Sequence, residues 1–181
     1  PAPVSVTVAG NTAGLLEKLK GFVDGYNALR SHINSVAPVG PDTSGVLKGE
    51  LGIVNIVYGL RKTLVSEAGP AGLQQLTMLG IRFEKDGALS LNEEVAKSVI
   101  QDDYSKVQHL LAGASGSKGV MDLVYDKLSD FLSSEGVLGS RTDGLSRLQA
   151  TQKKKLAAME ARLPKIEATL YNKYSRLDAA L

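Results

Sequence analysis

The sequence has no cysteine and no tryptophan, and only two histidines, His32 and His109. Without cysteine there can be no disulfide, thiolate zinc site, iron–sulfur cluster or thiol nucleophile. The compartment stays open, because secreted proteins can also lack cysteine. The histidines are far apart and neither has a second ligand at helical spacing, so both read as ordinary surface or half-buried side chains. They leave little material for a metal site or a Ser-His-Asp arrangement. An excess of one charge is also missing. Twenty-one Lys and Arg face 19 Asp and Glu, a net charge of +2, too weak a field for a general polyanion or membrane-surface binder. The apolar run Leu51 to Leu60 is interrupted by Asn55 and falls far short of the ~20 residues that span a bilayer. Neither nucleic acid nor a membrane is expected as a partner.

What is present is a chain of 181 residues, 43% of them hydrophobic, enough to bury a core without staples. One domain, or one domain with an appendage, is expected. The chain opens at Pro1 with no basic segment followed by an apolar one, and so reads as a piece of a longer protein whose export signal, if any, lies elsewhere. Val4, Val6 and Val8 alternate with Ser5, Thr7 and Ala9, which predicts a half-buried strand ended by Gly10-Asn11. From Thr12, a candidate N-cap, Leu15, Leu19, Phe22, Tyr26, Leu29, Ile33 and Val36 recur in alternating steps of four and three, a heptad seam. Such a seam is narrower than the stripe of an ordinary globular helix and expects a long partner helix.

A second apolar series occupies the other end: Leu145, Leu148, Leu156, Met159, Leu163, Ile166, Leu170, Tyr174, Leu177 and Leu181, with Gln152 in the one polar gap. Its extra steps of four bring the period close to 3.6, so supercoiling should be weak. The two seams are expected to zip together. Pro164 lies inside the second one and predicts a kink, or two abutting helices, because it removes the hydrogen bond to Glu160. Between the seams, Pro38, Gly40, Pro41 and Gly45 mark a loop, and Leu47 to Val65 reads as a helix containing Gly49, Gly52 and Gly59, which point to close packing or looseness. Ile81 to Glu84 and Ala88 to Leu91 flank Lys85-Asp86-Gly87, a hairpin signal. Asn92 before Glu93-Glu94 starts a short helix. Gly113 to Gly119 reads as a flexible connector, followed by an amphipathic helix from Val120 to Leu132 that stops near Gly136. Residues 139–181 carry a net charge of +5 and the remainder −3.

Several motifs invite chemistry and fail on inspection. Arg82 to Glu93 aligns with a twelve-residue calcium loop at five positions, but the first ligand position holds Arg82, a cation, so the plain hairpin is preferred. The glycine connector with Lys118 lacks phosphate-loop spacing. Lys153-Lys154-Lys155 point in three directions around a helix and read as a solvated face. Asp102-Asp103 and Glu93-Glu94 are adjacent pairs whose members point apart, with no nucleophile and base within reach. Phe22, Tyr26, Tyr171 and Tyr174 sit on or beside the seams, where rings are packing groups. No enzyme, metal or cofactor is expected.

Four stretches carry a resemblance: Phe22-Val-Asp-Gly-Tyr-Asn-Ala-Leu29; Leu79-Gly-Ile with Asp86-Gly-Ala-Leu-Ser-Leu-Asn-Glu93; Glu135-Gly-Val-Leu-Gly-Ser-Arg-Thr-Asp-Gly-Leu145; and Tyr174-Ser-Arg-Leu-Asp178. In that order they resemble the C-terminal region of the flagellar filament-capping family, FliD or hook-associated protein 2, from about residue 4 to the end. The sequence departs from the family pattern at Pro164, at Tyr174 in place of a common Phe, and in a shortened C-terminus. The resemblance implies a mainly α leg domain over 11–181, with a heptad helix over 11–37, helices and the hairpin 81–91 within 46–134, and a long helix over 139–181. Residues 1–10 would end a missing β-rich head, the part to which host adhesion usually belongs.

It further implies a secreted structural cap at the distal tip of the bacterial flagellum that holds exported flagellin and promotes its folding and polymerisation. The implied partners are other copies in a ring of five or six, flagellin, the hook–filament junction protein and an export chaperone at the C-terminal region. An interface of Leu15, Leu19, Phe22, Tyr26, Leu29, Ile33 and Val36 with Leu148, Leu156, Met159, Leu163, Ile166, Leu170, Tyr174 and Leu177 is expected. The heptads alone would equally suit a generic coiled-coil adaptor of a secretion-linked assembly.

Overall fold

A computed structural model describes residues 10–40, 43–69 and 72–179; the strand expected at Val4 to Val8 lies outside them. The chain divides into two compact units, Pro1–Ser133 and Ser134–Leu181. The fold is mainly α with one small antiparallel sheet, as the patterning implies.

In the first unit, helix α1 spans Thr12–Val36. Its N-cap is Asn11 rather than Thr12: the Asn11 side chain accepts the Gly14 N–H at 2.9 Å, one residue upstream of the expected cap. Helix α2 spans Leu51–Leu64. It starts later than its apolar pattern predicts, because Gly49 adopts φ +85°, outside helical space, and Leu47 to Gly49 form turns. Inside α2, Gly59 marks close packing: a Cβ there would lie 2.9 Å from the Phe131 ring. Strands β1, Ile81–Phe83, and β2, Leu89–Leu91, pair antiparallel with Phe83 opposite Leu89. Gly87 turns the hairpin at φ +86°.

Helix α3, Glu93–Asp102, is capped as expected by Asn92, which accepts the Val95 N–H at 3.0 Å. Asp103 then caps a further helix, α4, Tyr104–Ala112, by accepting the Lys106 N–H at 3.0 Å. That helix had no separate signal in the apolar pattern. Helix α5 covers Val120–Leu132 as predicted, and the Asp122 carboxylate reaches back to accept the N–H of its N-cap, Gly119, at 3.2 Å.

The segment before α5 is not a loose connector. Ala114 and Ser117 exchange backbone hydrogen bonds, and a Cβ on Gly113 or Gly119 would run into backbone at 2.2 and 2.3 Å respectively. The glycines there permit a tight reversal rather than slack. Gly136, expected to stop α5, instead precedes helix α6, while α5 ends at Ser133.

The core of this unit gathers Leu79, Ile81, Ile100, Val107, Leu110 and Val120, all essentially solvent-free. Helix α2 packs on α5 and α1, α1 on β2 and α3, and α4 on α3 and α5. One polar joint fixes the hairpin to α1. The Asn27 amide donates to the Leu89 carbonyl at 2.9 Å, and its oxygen accepts the Leu89 N–H at 2.8 Å. The side chain thus acts like a short neighbouring strand for β2. Around it, Tyr26 meets the Phe83 ring edge-on at 5.8 Å, the Arg61 guanidinium lies 5.0 Å from the centroid of the same ring, and Arg30 donates to the Asp86 backbone carbonyl. Lys20 pairs with Glu93 at 2.7 Å between α1 and α3.

The second unit is a single element, α6, Val137–Asp178, and no described residue of it is buried. The helix continues through Pro164 as one element, which corrects the expectation of two abutting helices. Replacing Asn27 with Ala strands both backbone groups of Leu89, and urea denaturation should show a loss of about 2–4 kcal/mol; a loss below about 0.5 kcal/mol would show that the joint carries no stability.

Candidate interaction surfaces

The heptad residues of α1 divide into two sets. Leu19, Tyr26 and Ile33 are buried, together with Val23, which the heptad spacing had omitted. Leu15, Phe22, Leu29 and Val36 are half-buried. The buried set faces α2, β2 and α3 within its own unit. That side of α1 is therefore core, and its stripe is wider than a strict coiled-coil seam because an ordinary 3.6-residue helix brings Val23 onto the same face.

Beside it, Phe22, Leu29, Leu60, Leu64, Val124 and Leu128 line an apolar groove of about 200 Å³. Gly21 and Gly25 of α1 also border it, and a Cβ added at either would meet nothing within 4 Å. A second, more polar cavity of about 240 Å³ lies where Tyr26, Arg30, Asn34, Tyr58, Arg61 and Asp86 converge. Tyr26 contributes to both. Its hydroxyl is buried and has no hydrogen-bond partner among the described residues. Burial raises its pKa, and the positive fields of Arg30 and Arg61 offset part of that rise.

On α6 the expected interface residues Leu148, Leu156, Met159, Leu163, Ile166, Leu170, Tyr174 and Leu177 are all exposed, from 45% at Ile166 to 67% at Tyr174. Tyr171, beside the stripe, is 73% exposed. Along this 42-residue helix the exposed residues form a continuous apolar stripe, and contiguous exposed apolar surface of that kind marks interaction sites in proteins. Lys153, Lys154 and Lys155 are exposed as well.

The residues once weighed for chemistry have structural work. Asp86 accepts the Ala88 N–H at 3.0 Å and faces Arg30 at 3.5 Å; Glu84 accepts the Ser90 hydroxyl at 2.5 Å; Glu93 pairs with Lys20. These acids point to separate partners rather than to a shared centre, and among the described residues no group of three or more His, Asp or Glu could hold a metal. Asp103 caps α4, and the Lys106 side chain and backbone hydrogen bonds hold its carboxyl below the usual range. Lys118 pairs with Asp126, which raises the lysine pKa.

A mainly α body with a hairpin, joined in sequence to a long helix of exposed apolar residues, places the chain among mainly α proteins built on long amphipathic helices. The comparisons make that specific. The family model described as "Flagellar hook-associated protein 2 C-terminus" matches residues 1–181, and the chain belongs to that family. The A-type flagellar hook-associated protein 2 of Pseudomonas aeruginosa is 26% identical over 97% of this chain and 37% of its own length. The flagellar hook-associated protein 2 of Aeromonas caviae is 29% identical over 97% and 39%. The crystal structure of the flagellar cap protein FliD D1-D2-D3 domains from Escherichia coli shares the fold, with a TM-score of 0.68 at 24% identity, covering 76% of this chain and 38% of that one. The chain spans about two-fifths of the length of these relatives.

The state of Tyr26 has a measurable consequence. A raised folded pKa favours the neutral phenol, so the unfolded chain releases its proton first, and stability falls as pH climbs above about 10. Tyr26→Phe should flatten that alkaline loss while changing stability at pH 7 by less than about 1 kcal/mol, because the hydroxyl gives up no hydrogen bond. Denaturation midpoints at pH 7 and pH 10.5 or so would check both halves.

Proposed function

We propose that this chain is the leg of a cap at the distal tip of the bacterial flagellum, a secreted structural part that holds exported flagellin and promotes its folding and polymerisation. The observation that carries the reading is the family match across residues 1–181. The work is binding and repeated conformational stepping, with no bond made or broken. The apolar series of α6 is the principal contact surface, and the groove at Phe22 and Leu29 adds a second. Its partners are other copies of the chain in a ring of five or six, flagellin, the hook–filament junction protein, and an export chaperone at the C-terminal region. The absence of cysteine suits a chain exported unfolded, since no crosslink can form on the way.

The test is genetic. Deleting the coding region in the source bacterium should release monomeric flagellin into the medium and abolish swimming, and the intact gene should restore both. A gene carrying Leu163→Asp with Ile166→Asp should be made at normal levels and fail to restore them, since two charges on the stripe oppose apolar association. Normal filaments without leakage after deletion would overturn the cap reading and favour a coiled-coil adaptor. Full rescue by the double variant would remove α6 from the mechanism.

A further inference from the structure

The more polar cavity of the first unit, about 240 Å³, holds hydrogen-bond donors that the fold itself leaves unused. Tyr26 is 6% exposed, and its hydroxyl is buried without a partner among the described residues. The positive fields of Arg30 and Arg61 act on that hydroxyl. Its oxygen therefore lies toward the polar cavity, which both arginines line, rather than toward the apolar groove, which neither lines. The Arg61 guanidinium rests 5.0 Å from the Phe83 ring centroid and, among the described residues, makes no hydrogen bond or ion pair. The Asn34 amide lines the same cavity and is likewise unpartnered among them. Buried donors in folded proteins almost always have partners. An orphaned one beside an unpaired guanidinium is a setting in which a ligand supplies the acceptor.

We propose that this cavity binds one carboxylate group carried on a short apolar stem, with the Arg61 guanidinium and the Tyr26 hydroxyl donating to its oxygens. Charge sets the class of ligand. Arg30 and Arg61 bring two positive charges, and Asp86 offsets one by facing Arg30 at 3.5 Å. The single charge left over suits a monoanion, whereas a phosphate dianion would set excess negative charge against Asp86. Arg30 is already held at the hairpin turn by the Asp86 backbone carbonyl, so it contributes its field and leaves the contact to Arg61. The planar fork of Arg61 matches the two oxygens of a carboxylate, and the Asn34 amide adds a further N–H. The remaining wall, Ile33, Val39, Val54 and Val57, is hydrocarbon and favours an aliphatic stem over a bare ion. The volume is more than ten times the ~15 Å³ that one water needs, so a lone ion would leave most of it empty. Reaching the covered Tyr26 oxygen takes a rotamer change, and Tyr58 and Arg61, both exposed, are lining side chains able to make one. A free aliphatic acid and the C-terminus of a polypeptide ending in an aliphatic residue both present this group.

The test titrates 4-methylpentanoate into the full 181-residue chain and follows the backbone amide resonances. Saturable binding with a Kd of about 1 mM or tighter is expected, within reach of a ligand of about eight non-hydrogen atoms, with the largest shifts around Asn34 and Gly87, which line the cavity. 4-Methylpentanamide keeps the stem, loses the charge and should bind about tenfold more weakly or worse. Arg61→Gln and Tyr26→Phe should each keep the spectrum of the folded chain and weaken binding of the acid by about threefold to tenfold. No saturation by about 20 mM, equal binding of the amide, binding that either variant leaves unchanged, or displacement of the acid by an equal concentration of inorganic phosphate overturns the proposal. The peptide acetyl-Ala-Ala-Leu with a free C-terminus separates the two sources. Binding about tenfold tighter than that of the small acid assigns the group to a polypeptide terminus, and equal binding assigns it to a free acid. The site goes beyond the cap reading and does not use α6, so either can fail without the other.

Discussion

The first unit depends on holding a three-residue-strand hairpin against a helix, which neither element could manage alone. A two-stranded hairpin is marginal in water, because each outer edge leaves backbone groups seeking partners. Asn27 resolves this for β2 by offering a donor and an acceptor from one rigid amide to the N–H and C=O of Leu89. Tyr26 and Arg30, its neighbours on α1, add the ring contact to Phe83 and the grip on Asp86 at the turn. With the hairpin anchored, Leu79, Ile81 and Leu89 are placed to close the core over α1 and α3. The cost is a buried tyrosine hydroxyl without a partner among the described residues, beside the Arg30 and Arg61 side chains that share its cavity.

The second unit obeys the opposite constraint. The helix α6 is a unit of one element, and its apolar residues from Leu145 to Leu177 are exposed. A helix of 42 residues keeps its backbone hydrogen bonds internally, yet most helical stability in proteins comes from covering an apolar face. Its stability and its association are therefore linked: whatever covers the stripe also orders the helix. For the cap proposed above, such a coupling would make the surface that binds also the surface that completes folding.

Much of the architecture was legible because it rests on short-range chemistry. Asp86-Gly87 set the hairpin turn, Asn92 capped α3, and the apolar steps marked both long helices. What escaped was set by tertiary context. The reversal at Gly113 to Gly119 looked slack because glycine composition does not distinguish mobility from crowding; only the backbone approaching within 2.3 Å of where a Cβ would sit does. The break at Asp103 has no mark in the apolar pattern, because the carboxylate becomes a cap only where the chain turns to bring the Lys106 N–H to it. On α1, the heptad steps mark three of the four buried residues and omit Val23. Asn27 lay within the family-like stretch, but its role appears only when Leu89, 62 residues away, is beside it.

The apolar spacing of α6 also bears on how firmly any partner is held. Two heptads from Leu156 to Leu170 are bounded by four-residue steps, Gln152 to Leu156 and Leu170 to Tyr174. Such insertions locally unwind a supercoil. Leu145 and Leu163 lie 18 residues apart, as do Leu163 and Leu181, and that interval corresponds to five turns of an unstrained α-helix. The stripe therefore runs straight along one side rather than wrapping, and interlocking side-chain packing of the coiled-coil kind is confined to short stretches. A seam of that sort gives modest contacts in series instead of one continuous zipper.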